Sequence, residues 1–269
     1  MELIVTTAGR RNSTNKVAAL DAAAQLGGTF YNRIDESVST LKERYQADIL
    51  VAEKGRFTYY PYDSDERIFF HPNASMFRMK RVLKEEGDPF ISTAGIERGM
   101  TVLDCTLGLG ADSTIASLAV GEEGAVTALE IHPVIAFLVR NGYKQYETHH
   151  SEIMAAMRRI HVLNEDYCTY LKQQADNTFD IVYFDPMFTD GELQSDGLKG
   201  LKHVAGYESL TADVVGEAMR VAKKRVVLKD HFRSQRFKQF GFHQYIRKTS
   251  AFHYGVINVM DKQEHGHLK

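Results

Sequence analysis

Residues 101–112 read TVLDCTLGLGAD, and no other stretch of this chain restricts its fold so tightly. Thr101, Val102 and Leu103 are β-prone and run into Asp104. Gly108 and Gly110 then bracket one leucine, and Ala111 and a second acid, Asp112, precede Ser113 and Thr114. Such a run is a strand, a tight turn and a helix start. Glycines at 108 and 110 tolerate positive φ and let backbone N–H groups approach a ligand with no Cβ in the way. Asp112 or Ser113 is expected to cap the helix, whose N-terminus favours an electron-rich neighbour. A nucleotide-like ligand is therefore expected over the turn.

The class of nucleotide follows from what is missing. A dinucleotide fingerprint needs a third glycine three positions after the second, where Ser113 stands, and no lysine occupies the phosphate-loop position. What remains is an acid closing a strand ahead of a G-x-G turn. Rossmann-like enzymes that use S-adenosylmethionine have that arrangement, because their cofactor carries a cationic amino group and a sulfonium instead of a pyrophosphate. The simpler alternative is an ordinary strand-to-helix turn in a nucleotide-free α/β domain.

With 269 residues, 43% hydrophobic and 25% charged, the chain suits one large α/β domain or one domain plus a small one. Cys105 and Cys168 offer neither a disulfide framework nor zinc spacing, so a reducing cytoplasm is the expected location. No signal-peptide pattern or membrane-length apolar run is seen, and no membrane partner is expected. His265 and His267 lie too near the chain end to be proposed as metal ligands, and no metal site is expected. A net charge of −2 carries no global nucleic-acid signature, so any RNA contact must come from a local basic patch.

Residues 1–72 read as a small α/β module, 73–90 as a basic linker helix and 91–269 as the cofactor domain. In the module, strands are expected at 2–6, 48–52, 57–60 and 67–70. A helix is expected at 15–26, with Val17, Leu20 and Ala24 as its apolar positions. The loop TTAGRRNSTN sets Arg10 and Arg11 among small hydroxyl residues, as a phosphate contact or as solvated surface. The linker helix carries Arg78, Lys80, Arg81 and Lys84. Its spacing predicts the Phe77 side against the core and the basic side outward, available to an RNA backbone or simply solvated.

Beyond the glycine turn, a strand over 125–131 contains Glu130, about twenty residues past Gly110, where such folds place a carboxylate on the ribose hydroxyls. Pro133 opens a helix at its tolerated first turn. Asp166 and Tyr167 follow a further strand. They either accept from an adenine amine and flank its ring, or cap a helix with the tyrosine half-buried. The run FDIVYFDPMF marks a doubly covered parallel strand ending in Asp185-Pro186, with Phe188 beyond. Methyltransferases of exocyclic amines carry an acid-proline-x-aromatic motif there. An aryl amine is a poor nucleophile, so the site must hold its nitrogen in line and accept its hydrogens. Asp185 and the Pro186 carbonyl offer acceptors and Phe188 a stacking face. A strand-terminating Asp-Pro turn is the structural alternative. Residues 242–247 and 252–260 are expected to close the sheet as an antiparallel hairpin.

Together TVLDCTLGLGADS, ALEIHPVIAFLVRNGY, VYFDPMF and KRVVLKDH resemble the RsmJ family, guanine-N2 methyltransferases of small-subunit ribosomal RNA, over roughly residues 73–259. The resemblance implies a Rossmann-like class I methyltransferase sheet, S-adenosylmethionine, and ribosomal RNA or the small ribosomal subunit as partner. It puts cofactor contacts on Ala111, Asp112, Glu130, Ile131, Asp166, Tyr167 and Asp185. Asp104, Gly108 and Gly110 join them on chemical grounds. Ala111 and Ile131 stand where the family has arginine, and Thr189, Asp190, Gly191 and Glu192 replace its proline and lysines after DPMF. Arg10, Arg11, Arg78, Lys80, Arg81, Lys199 and Lys202 are the expected substrate contacts. The other readings are a methyltransferase of a small molecule or protein, and a non-catalytic cofactor-binding protein.

Overall fold

The computed structural model describes residues 2–8, 15–186 and 210–259. It divides into two compact units, one built from Met1–His71 and His132–Gln145 and the other from the remaining described residues.

The first unit begins with β1 (Leu3–Thr7), α1 (Lys16–Leu26), β2 (Thr29–Phe30), α2 (Val38–Tyr45) and β3 (Asp48–Glu53). β4 (Arg56–Tyr60) and β5 (Ile68–Phe69) complete a five-stranded sheet ordered β2-β1-β3-β4-β5, parallel through β3 and antiparallel after it. α1 turns Ala19, Ala22 and Ala23 to the core and leaves Val17 and Leu20 exposed, the reverse of the face its larger side chains predicted. Small alanines let the helix lie close to the sheet, and that packing overrides side-chain size. Ser37 caps α2 by accepting from the Thr40 N–H at 3.0 Å. That fixes the end from which Leu41 enters the core with Ile4, Ile49 and Val51.

The second unit opens with α3 (Asn73–Leu83) and α4 (Pro89–Ala94). The expected orientation of α3 is corrected: Met79 and Ser75 are buried, while Phe77 is 71% exposed. The inward face carries Arg78, which is held by buried acids described below. β6 (Thr101–Asp104), α5 (Ala111–Val120) and β7 (Ala125–Leu129) follow. The chain next forms α6 (Pro133–Gln145), which belongs to the first unit and packs Phe137 edge-on against Phe57 of β4 at 4.9 Å between ring centroids.

α7 (Ser151–Arg159), β8 (His161–Leu163), α8 (Tyr167–Gln173) and β9 (Phe179–Phe184) continue the second unit. It ends with α9 (Ala212–Val221), β10 (Ala222–His231), α10 (Arg236–Gln239), β11 (His243–Tyr245) and β12 (Phe252–Asn258). Seven strands line up as β11-β12-β10-β9-β6-β7-β8. β6 to β10 are mutually parallel, and β12 runs antiparallel to both β10 and β11, so the expected terminal hairpin closes one edge. β9 is central, with Phe179, Ile181, Val182, Tyr183 and Phe184 buried, which explains its apolar run. α9 covers it with Val214, Val215, Ala218 and Val221. β7 and β8 lie on one side of β6, and β9 and β10 on the other. The order therefore switches between β6 and β9, and ligands bind sheets of this kind outside the carboxyl ends at that point. Among the described residues, no helix is long and apolar enough to cross a membrane.

Candidate active site at the sheet switch point

The glycine turn is held by its own acid. Asp104, only 2% exposed, accepts from the Thr106 N–H at 3.0 Å and from the Ser113 hydroxyl at 2.5 Å, tying the end of β6 to the first turn of α5. Burial pushes its carboxyl up to about 7 even though both hydrogen bonds favour the charged form. Gly108 and Gly110 take φ of +52° and +78°. A Cβ on Gly108 would meet nothing, so backbone conformation alone asks for glycine there. The predicted cap is corrected: Gly110 is the N-cap of α5, Ser113 is turned to Asp104, and Asp112 enters an ion-pair network.

Glu130 follows β7 directly and is 2% exposed; its Oε2 accepts from the Gly108 N–H at 3.1 Å. The spacing argument expected these two features to meet at one sheet edge, and they do. Asn164 donates to the Glu130 and Ile131 carbonyls at 2.8 Å each, fixing the backbone beyond the acid.

The centre of the site is a chain of alternating charges. Arg78 grips Asp88 through Nε and Nη2 at 2.8 and 2.9 Å and reaches Asp112 Oδ1 through Nη1 at 2.5 Å. Asp112 Oδ2 accepts from Tyr183 Oη at 2.8 Å and Lys229 Nζ at 2.9 Å. The same Nζ lies 2.6 Å from Asp185 Oδ2. Five elements, α3, the α4 cap, α5, β9 and β10, are joined through these side chains. Burial alone would raise the Asp112 carboxyl, but the Lys229 and Arg78 charges outweigh it and hold the group below the ordinary range. For Asp185 burial prevails and the carboxyl is raised, with Lys229 pulling down and Asp112 and Asp230 adding to the rise. Burial disfavours the Lys229 ammonium, yet the Asp112 and Asp185 charges leave its pKa raised.

Asp185 sits just past β9, and its N–H donates to Thr106 Oγ1 at 2.6 Å, locking the Asp-Pro turn to the glycine turn. Pro186 is buried beside it. Asp166 caps α8, accepting from the Thr169 N–H at 2.9 Å. The Tyr167 ring is only 3% exposed and packs edge-on against Phe184, more deeply buried than in the helix-capping reading and closed off from flanking a base with its face. Arg78 is likewise corrected as a free phosphate contact, because its guanidinium is committed to Asp88 and Asp112. Lys80 is exposed, and Arg81 lies 3.6 Å from Glu86. Arg10, Arg11, Phe188, Lys199 and Lys202 lie outside the described residues, as do His265 and His267. Asp88 and Tyr183 were missed: Asp88 stands in no motif, and Tyr183, inside VYFDPMF, read only as a buried strand residue. Lys229, two residues short of the end of β10, stands in KRVVLKDH, from which its pairing with two acids could not be read.

The donor set fits S-adenosylmethionine. Carboxylates gathered at the ends of β6, β7 and β9 match a cofactor with a cationic amino group, a sulfonium and a ribose diol. Glu130 stands beside the glycine turn, and folds of this kind meet ribose hydroxyls with a carboxylate at the end of the second strand.

The protein YpiP of Bacillus subtilis, named as uncharacterized, is 44% identical over 256 residues, covering 95% of this chain and 99% of that one. Ribosomal RNA small subunit methyltransferase J of Haemophilus influenzae is 31% identical over 134 residues, 48% of this chain and 50% of the relative. The protein of that name from Tolumonas auensis is 34% identical over 149 residues, 53% and 58% of the two chains. The likeness to these methyltransferases thus spans about half of each. The crystal structure of the SAM-dependent methyltransferase NGO1261 from Neisseria gonorrhoeae shares the fold, with a TM-score of 0.59 over 95% of both chains at 21% identity. Residues 43–251 match the family described as "Putative SAM-dependent methyltransferase". With the match covering most of its length, the chain belongs to the SAM-dependent methyltransferase family, and S-adenosylmethionine is its cofactor.

Proposed function

We propose that the protein methylates the exocyclic amine of a nucleic-acid base, guanine N2 of small-subunit ribosomal RNA. The observation that carries this reading is Asp185-Pro186 at the switch point, with the carboxylate paired to Lys229 at 2.6 Å. The partial likeness to relatives named as small-subunit ribosomal RNA methyltransferases supports the substrate class.

S-adenosylmethionine supplies the activated methyl group when bound. Asp104, Gly108, Gly110, Ala111 and Asp112 are assigned to holding it from the glycine turn, Glu130 and Ile131 from the end of β7, and Asp166 and Tyr167 from the start of α8. The buried Tyr167 ring leaves main-chain groups for that contact. Asp185 Oδ2 is engaged by Lys229, and Oδ1 is assigned to the hydrogens of the target amine. The Pro186 carbonyl accepts a second hydrogen, and Phe188 offers a face to the base. Two acceptors fix the nitrogen so that its lone pair points along the transfer line. Such positioning is worth several orders of magnitude without a covalent intermediate.

The test is transfer of tritiated methyl groups to small ribosomal subunits and free ribosomal RNA from a strain lacking the gene, followed by nucleoside analysis. Labelled N2-methylguanosine is the expected product. Labelling of a different nucleoside, or of protein, would replace this reading.

A further inference from the structure

The sequence after β10 has an unusual charge pattern. From His231 to Val259 it contains Arg233, Arg236, Lys238, Arg247 and Lys248 and no aspartate or glutamate, in a chain whose net charge is −2. Aromatic residues are interleaved among these cations. Arg236 is taken by Asp230 at 3.2 Å. Among the described residues, no carboxylate pairs with Arg233, Lys238, Arg247 or Lys248, and all but the half-buried Arg247 are exposed.

Phe232 stands at the start of this segment, directly after β10. Its ring is 40% exposed, yet its main chain is fixed at both ends. The Phe232 N–H donates to the Ala251 carbonyl at 2.9 Å, and its carbonyl accepts from Gln244 Nε2 at 2.9 Å. Gln244 is in turn held by His253 Nδ1 at 2.9 Å, and His253 Nε2 lies 3.1 Å from the Arg247 N–H. The loop after β10 and the loop between β11 and β12 are thus joined through one buried histidine. The Arg233 guanidinium lies 5.0 Å from the Phe232 ring centroid, and His231 lies 4.6 Å from it on the other side in sequence. An exposed aromatic ring carried on a fixed main chain costs less ordering when a flat ligand stacks on it.

Its position relates it to the reaction. Lys229, whose Nζ holds Asp185, precedes Phe232 by three residues, roughly 10 Å of extended chain. Phe252 lies between them, 5.8 Å from Lys229 Nζ and paired in register with His231. The platform therefore shares the carboxyl edge of the sheet with Asp185, about one or two nucleotides away along an unpaired strand.

We infer that Phe232, with Arg233, Arg247 and Lys248 around it, is a stacking platform for a base flanking the methylated nucleotide, its phosphates lying along the acid-free loops. This rests on the RNA reading proposed above and extends it. It makes the substrate single-stranded at the flanking position, because a base must be unstacked to lie on an aromatic side chain.

The experiment measures two quantities on the whole protein: anisotropy of a fluorescein-labelled single-stranded RNA of about 12 nucleotides, matching typical site sizes, and methyl transfer to ribosomal RNA. Phe232→Ala is expected to weaken oligonucleotide binding about tenfold or more and to raise KM for RNA, while Phe232→Tyr keeps both near wild type. Arg233→Ala and Lys248→Ala should each lower the slope of log affinity against log salt by about 0.7. Unchanged calorimetric affinity of Phe232→Ala for S-adenosylmethionine shows that the variant is folded. Wild-type KM for RNA in that variant would overturn the platform and leave the proposed reaction standing. Wild-type protein that neither binds nor methylates RNA would overturn both.

Discussion

Lys229 decides how two buried carboxylates behave. Replacing it with methionine leaves Asp112 with Arg78 as its cation beside the Tyr183 hydroxyl, and Asp185 with no ion-pair partner among the described residues. Removing one partner of a buried pair costs about 3 kcal/mol, so Lys229→Met is expected to lower the unfolding free energy by that order in urea titration. It also has a kinetic signature. Asp185 must be ionised to accept from the amine, and its carboxyl is already raised by burial against the pull of Lys229. Without the ammonium it rises further, so the acidic limb of the kcat–pH profile moves to higher pH. A limb that stays in place would show that Asp185 is not the group being titrated. Asp104 supplies a separate test through stability. Its carboxyl goes from an ordinary 3.8 to about 7 in the folded chain, so between those values the folded state keeps a proton that the unfolded state has released. Stability from this group is present at low pH and is lost as pH rises through about 7. Asp104→Asn should remove that decline, and urea midpoints compared at about pH 5 and about pH 8 would detect it.

At the scale of elements, α3 tells the clearest story. Its apolar spacing admits either Phe77 or Met79 as the inward residue, and hydrophobicity alone favours the larger ring. The structure buries Met79 and exposes Phe77 because Arg78 must reach Asp88 and Asp112, partners 10 and 34 residues away. Met79→Ala should cost about 2–4 kcal/mol through the cavity it leaves, whereas Phe77→Ala should stay within about 0.5 kcal/mol. Equal losses would contradict the orientation of the helix. The same contrast explains what was legible from sequence. The glycine turn, Glu130 and the Asp185-Pro186 turn were readable because local backbone chemistry and fixed spacing define them. The Asp88–Arg78–Asp112–Lys229–Asp185 network was not, because its members come from separate elements and meet only when the sheet assembles. α1 was misread for a related reason, since its alanine face is chosen by how closely the sheet must be approached.

For the molecule as a whole, the alternation of strands and helices after residue 100 pointed to a parallel sheet, and the observed order β11-β12-β10-β9-β6-β7-β8 bears that out. The order in the first unit was less legible, because β2 and β5 are two residues long and carry no periodic pattern. Global charge was a poor guide to partners: a net of −2 conceals a segment from His231 to Val259 with five lysines and arginines and no acid. That surface and the chemistry at Asp185 belong together in the proposed reaction, methylation of a guanine amine in ribosomal RNA. The most direct measurement is nucleoside mass spectrometry of small-subunit ribosomal RNA from cells lacking the gene, complemented with either the wild-type protein or Asp185→Ala. On that proposal an N2-methylguanosine disappears on deletion, returns with the wild-type chain and stays absent with the Asp185→Ala variant at equal expression. An unchanged N2-methylguanosine content on deletion, or full restoration by Asp185→Ala, would contradict it.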